Sequence, residues 1–400
     1  MAVPNNTTFT LQNVVAEVNP TTDDLIDCFA DAVSSKFNAT FKAQYYTAAG
    51  DKNNLLMFRD YGACFSPTTT SQLQTAVDLW VSDEPQAIID YGQINDWCTE
   101  AITDMSGLFD NKRLFNDDIS NWDVSNVINM SEMFFNARAF NQDISSWDVS
   151  SVINMYRVFY NAWDFNQDIS SWDVSSVTNM STMFASTYDF NQNISSWDVS
   201  SVTDMDLMFW DAEVFNQPIG SWDVSSVNKM YGMFHSARAF NQPIGGWDVS
   251  NVTNMSLMFY NTSLSYAFNQ DINAWDVSSV TNMNAMFLGA DSFNQNLNSW
   301  DVSSVMNMYA MFREADNFSG NISSWDVSNV TSMGAMFQEA SAFNVDISNW
   351  DVSSVITMSD MFRYATSFNQ DLSGWDVSAV TFSTNFSVGA TSWTLPQPSF

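Results

Sequence analysis

Apolar residues recur along this chain at a spacing that neither a helix nor a strand produces alone. In NQDISSWDVSSVTNMSTMF, Asn166 to Phe184, they fall at Ile169, Trp172, Val174, Val177, Met180, Met183 and Phe184, and Phe190 completes the set. The first three follow I-x-x-W-x-V, which predicts a short strand with alternate residues turned inward. Val177, Met180, Met183 and Phe184 then step by three, three and one, the period of a helix or 3₁₀ segment. The polar phrase FNQ closes the word as a turn. Its recurring Asn is expected to point inward and hydrogen-bond turn backbone. Trp97, Trp122, Trp147, Trp172, Trp197, Trp222 and Trp247 stand 25 residues apart; the step to Trp275 is 28, and Trp300, Trp325, Trp350 and Trp375 resume the 25. This predicts twelve coils with one three-residue insertion, within YNTSLSYAF, Tyr260 to Phe268. One coil cannot bury its apolar face, so neighbours must stack into a shared core.

The period lies in the range of leucine-rich solenoids, and I-x-x-W-x-V matches their L-x-x-L-x-L strand. FNQDISSWDVSSVTNMSTMF resembles the bacterial surface-protein repeat of about 25 residues, a branch of the BspA-like leucine-rich repeats known from mycoplasma-type lipoproteins. The resemblance covers Gln93 to Val380. It implies a right-handed solenoid with a role in adhesion or recognition and no catalysis. The expected fold class is therefore α+β: residues 1–92 a small attachment or assembly domain, 93–380 the solenoid, and 381–400 a degenerate cap.

The end coils depart from the word. INDWCTEAITDMSGLF has Cys98 where other coils have Asp, and DVSAVTFSTNFSVGATSW places Trp393 at a Phe position. In residues 1–92, TFTLQNVVAEV alternates like a strand, while TTDDLIDCFADAVSSKF, TSQLQTAVDLWV and EPQAIIDYG are predicted helices, the last ended by Gly92. SKFNATF and NNLLMFRDYGA resemble modules of phage structural proteins. The start, MAVPNNTTFTLQNVVAEV, shows no basic leader or cleavage signal. Together these point to a virion component, a tail fibre, spike or decoration protein, with a bacterial cell-surface adhesin or a structural spacer as the alternatives.

Composition narrows the partners. Twelve Lys and Arg against 45 Asp and Glu give a formal net charge of −33, which disfavours nucleic acid. No run of about 18 apolar residues suggests a membrane span. The odd cysteine count, Cys28, Cys64 and Cys98, argues against a disulfide framework. The expected partners are a host surface glycan or protein, and other subunits, including copies of this chain, through residues 1–92.

Little in the chain suggests catalysis. A single histidine, His235, leaves no histidine metal cluster and follows MF where a solvent-facing residue is expected. The sharpest polar feature is the Asp after each Trp: Asp123, Asp148, Asp173, Asp198, Asp223, Asp248, Asp276, Asp301, Asp326, Asp351 and Asp376. It either accepts backbone N–H bonds from the following VSS in an Asx-type turn or lines a row of Ca²⁺ ligands. Specificity belongs to columns that vary. Phe135, Tyr156, Tyr160, Trp163, Tyr188, Trp210, Tyr231, His235, Tyr260, Tyr266 and Tyr309 form the expected partner surface, suited to sugar-ring stacking or a protein contact.

Overall fold

The computed structural model describes residues 64–261 and 266–400. The chain divides into two compact units, Met1–Pro67 with Asp78–Cys98, and Thr68–Val77 with Thr99–Phe400. The second unit holds the coils from Thr99 on and takes in residues 68–77 as well. The expected strand and first helix of residues 1–63, and the phage-like words there, lie outside the described residues.

Two of the expected helices form: α1, Thr70–Ser82, and α2, Glu84–Tyr91. Asp83 caps α2 by accepting from the Gln86 N–H at 3.2 Å, and Gly92 ends it at φ 78°. Within the first unit, Phe65 packs on Tyr91 at 4.6 Å and on Trp97 at 5.4 Å, and Trp80 meets Trp97 edge-on at 6.0 Å. A disulfide joins Cys64 to Cys98 across 34 residues. This corrects the expectation drawn from the odd cysteine count; the third cysteine, Cys28, lies outside the described residues.

The second unit is a stack of coils in parallel register: Asp104 to Asn129, Asn154, Asn179, Asp204 and Lys229, then Asn254 to Asn282, Asn307, Ser332, Thr357 and Phe382. Among the described residues each of these pairings is a single bridge, and no extended strand forms. Ile169, Trp172 and Val174 point into the core as expected, at 0, 3 and 1% exposure. They do so from a turn, Trp172 N–H donating to the Ile169 carbonyl at 3.1 Å, not from a strand.

The segment predicted as helical is a series of turns. Met183 N–H donates to Met180 O and Thr187 N–H to Phe184 O, each at 3.2 Å. The residues between donate to the next coil: Met180 to Asp204 at 3.0 Å, Thr182 to Asp206 at 2.8 Å and Phe184 to Met208 at 2.9 Å. This alternation requires left-handed backbone at two places in a coil, as at Thr182 (φ 58°) and Ser186 (φ 52°) or Leu207 (φ 56°) and Asp211 (φ 57°). Such a conformation costs a non-glycine residue about 1–2 kcal/mol. It persists because it aims alternate N–H groups at the next coil, leaving little buried backbone unpaired. At Gly289 (φ 66°) an added Cβ would stand 2.1 Å from the Asn261 carbonyl oxygen, so only glycine fits there.

The stacked core follows from the repeated word. Phe134 lies on Phe159 at 5.7 Å and Phe165 on Phe190 at 6.0 Å, planes nearly parallel, and the same columns run from Phe109 to Phe362 and from Phe115 to Phe368. From Trp147 to Trp375 each repeat indole is satisfied by the coil before it: Trp172 Nε1 donates to Ile144 O and Trp197 Nε1 to Ile169 O, both at 3.1 Å. The FNQ asparagine is not inward: Asn141 and Asn166 are half-buried, and Asn294 and Asn344 are exposed. Asn141 Oδ1 accepts the Asn166 N–H of the next coil at 3.0 Å and Gln167 Nε2 at 2.7 Å, a polar seam between coils.

Both ends of the unit are closed. Thr70 Oγ1 and Gln74 Nε2, on the part of α1 that belongs to it, donate to the Asp104 and Leu108 carbonyls at 2.7 and 3.0 Å. At the other end Trp393 sits edge-on to Phe362 and Phe368 at 5.2 and 4.7 Å, the place its sequence position predicted. Among the described residues no helix is long and apolar enough to cross a membrane.

Candidate recognition surface

The aspartate column is a row of Asx turns. From Asp123 to Asp376 each carboxylate accepts the N–H of the Ser two residues on, at 3.0–3.1 Å. In Asp123, Asp148, Asp173, Asp198, Asp248 and Asp351 the same oxygen also takes the Ser hydroxyl at 2.6 Å. The hydroxyl first and the N–H second hold Asp123, Asp148, Asp198, Asp223, Asp276, Asp301, Asp351 and Asp376 below the ordinary carboxylate pKa. Among the described residues no group of three or more His, Cys, Asp or Glu is placed to hold a metal ion. Of the two uses weighed from the sequence, turn capping is the one these bonds make.

Variable residues collect on the turn segments. Phe135, Tyr160, Trp210, His235 and Tyr260 form one column: Phe135 to Tyr160 5.1 Å, Tyr160 to Trp210 6.2 Å, Trp210 to His235 5.9 Å, His235 to Tyr260 4.5 Å. Tyr160 reaches Trp210 past a whole coil because Ala185, fully buried, fills the intervening place. Trp163 and Tyr188 pair at 5.7 Å in a neighbouring column, with the Arg138 guanidinium 3.7 Å from the Trp163 ring centre. Arg157 lies 4.7 Å from the Tyr156 ring and 5.6 Å from that of Tyr160, and bonds Glu132 at 3.2 Å. Tyr231 is half-buried on the same face, and Tyr309 is 46% exposed with its ring over Gly334.

Two expected surface residues are placed differently. Tyr266 is 1% exposed, and its hydroxyl donates to the Phe234 carbonyl at 2.9 Å; it belongs to the core. His235 is largely buried rather than solvent-facing. Desolvation between Trp210 and Tyr260 lowers its pKa to about 4. Residues the sequence reading passed over complete the face. Leu257, Tyr260 and Leu288 pack over Ala285, Ala310 and Ala335, and Leu207 covers Gly232. Asp206, which accepts the Tyr231 N–H at 2.7 Å, and Asp211 both have pKa values raised chiefly by burial.

A pH dependence follows. The folded pKa of His235 lies below its ordinary 6.5, so between about 6.5 and 4 the unfolded chain takes up a proton that the folded chain does not. Its contribution is complete above pH 6.5 and is lost as pH falls toward 4, on the order of 2 kcal/mol once partial exposure is discounted. Asp206 and Asp211, raised, act oppositely. The difference between parent and His235→Asn therefore isolates the histidine. Thermal unfolding of the parent is expected to lose stability relative to the variant across that window; parallel curves would show that His235 is not desolvated.

Coils of one sequence word, stacked on shared columns, define a solenoid repeat protein. Residues 83–193, 166–266, 263–327 and 295–397 match the family described as Mycoplasma protein of unknown function, DUF285, and the chain belongs to that family. Among solved structures, a leucine-rich repeat protein from Bacteroides ovatus ATCC 8483 is similar at 10% identity, over 62% of this chain and 75% of that chain, with a TM-score of 0.26. At that score nothing about this chain follows from the likeness. No curated protein matches.

Proposed function

We propose that the chain is a non-enzymatic recognition protein of the cell surface or extracellular space, a BspA-like, leucine-rich-repeat-type right-handed solenoid of twelve coils that binds through its turn face. One observation carries this reading. On a scaffold whose other columns repeat almost unchanged, the turn face alone gathers Tyr160, Trp210, His235 and Tyr260 into contact, and an apolar cluster on a variable face marks a binding surface. The Cys64–Cys98 disulfide supports an oxidising exterior. The virion setting draws no support from the family match, which names Mycoplasma proteins. Assembly of copies through residues 1–92 belongs to the same proposal, and mass in solution tests it.

The test of recognition is adhesion of the labelled full chain to a panel of cultured bacterial and animal cells. Saturable binding to at least one is expected, weakened at least about tenfold by Trp210→Ala combined with Tyr260→Ala. Substitution of Ile128 and Ile153, exposed elsewhere on the coils at 48 and 46%, should leave binding unchanged. Adhesion indifferent to the turn-face pair would remove the face from the function.

A further inference from the structure

We propose that the turn face from Leu207 to Leu288 docks a protein segment carrying Lys or Arg beside apolar side chains, an assignment that rests on the recognition reading above. The first reason is ring geometry. A sugar stacks on the flat face of an aromatic ring. Here Tyr160 and Trp210 are stacked on each other at 23°, and His235 and Tyr260 at 28°. Trp163 has the Arg138 guanidinium over its ring and Tyr188 beside it. Tyr309 lies over Gly334. Each of these rings thus has a face taken by a neighbouring side chain or backbone. Between them stand Leu207, Leu257 and Leu288, which pack on neighbouring coils. A strip of mutually packed rings and leucine side chains suits the irregular apolar surface of a protein better than the flat face of a sugar.

The second reason is charge. Among the described residues, Arg157, Lys229 and Arg238 are already paired with Glu132, Asp204 and Glu213, at 3.2, 2.7 and 3.2 Å, and Arg138 donates to Asn136 and lies over the Trp163 ring. Asp164, Asp189, Asp206 and Asp211 take no part in those pairs. Asp206 and Asp211 directly flank Leu207 and Trp210 in the chain, and Asp164 and Asp189 are exposed beside Trp163 and Tyr188. The strip is thus bordered by carboxylates on a chain whose net charge is −33. That field draws in a basic partner and opposes an acidic one.

A library of short random peptides selected against the immobilised full chain tests this, with an array of neutral and acidic oligosaccharides probed in parallel. Enriched peptides are then titrated against the parent, Trp210→Ala and Asp211→Asn. Asn at 211 keeps a residue that tolerates the left-handed backbone (φ 57°) and removes only the charge. Thermal unfolding confirms that each variant is folded. The expected result is enrichment of peptides rich in Lys or Arg and apolar residues. Their affinity should fall at least about tenfold on Trp210→Ala, severalfold on Asp211→Asn, and about tenfold in 0.5 M salt. Peptides that bind the parent and both variants alike would overturn the use of this strip. Oligosaccharide capture abolished by Trp210→Ala, without peptide capture, would overturn the protein partner and leave the recognition role standing. Absence of any strip-dependent capture would count against both.

Discussion

Trp222→Ala is expected to cost about 3–5 kcal/mol of unfolding free energy, more than any exposed substitution on the coils. The side chain is 4% exposed, and its indole Nε1 donates to the Ile194 carbonyl of the preceding coil at 3.1 Å. Its ring packs beside Phe209 at 6.4 Å. Truncation leaves a cavity among rigid neighbours and strips a buried carbonyl of its partner. Because each coil is held mainly by its neighbours, the loss weakens the coils on both sides. Trp222→Phe, which keeps a ring and loses the N–H, should cost about 1–3 kcal/mol. Denaturant unfolding of the three chains reads both values. A parent-like midpoint for the alanine variant would mean that the tryptophan column does not support the core.

Removing the disulfide should rank next. With Cys64 and Cys98 separated by 34 positions in the chain, the chain-entropy relation gives about 4 kcal/mol. Cys98→Ser is therefore expected to loosen residues 64–67 and 78–98, where Phe65, Tyr91 and Trp97 pack, while the distant phenylalanine columns stay intact. Limited proteolysis with and without reductant should show new cleavage within 64–98 only when the bond is absent. Under non-reducing, denaturing conditions the thiols of Cys64 and Cys98 should resist alkylation, read by peptide mapping. Alkylation of both would show that the pair does not form.

Much of the core was legible before any coordinates. A word repeated every 25 residues can bury its apolar letters only by stacking, so the inward set Ile169, Trp172, Val174, Val177, Met180, Met183 and Phe184 followed from spacing alone. The elements were not legible. Steps of three and one arise both in a helix and in consecutive turns. The left-handed positions that distinguish them are held by Thr182, Leu207 or Ala310, none of which carries the glycine signature of φ > 0. The disulfide left one trace, Cys98 in the aspartate column, but its partner 34 residues upstream sits in no motif.

The candidate face divides the same way. The sequence by itself determined the period, the composition of the core, the acid at each Asx turn and the columns free to vary, because these depend on residues near one another in the chain or on the repeat as a whole. Only the tertiary structure decided what the variable letters do. Tyr160 meets Trp210 because the coil between them offers Ala185, Tyr266 turns inward to the Phe234 carbonyl, and His235 loses its water between Trp210 and Tyr260. Those outcomes depend on side chains from different coils brought within about 6 Å by stacking, a neighbourhood that no single 25-residue word contains.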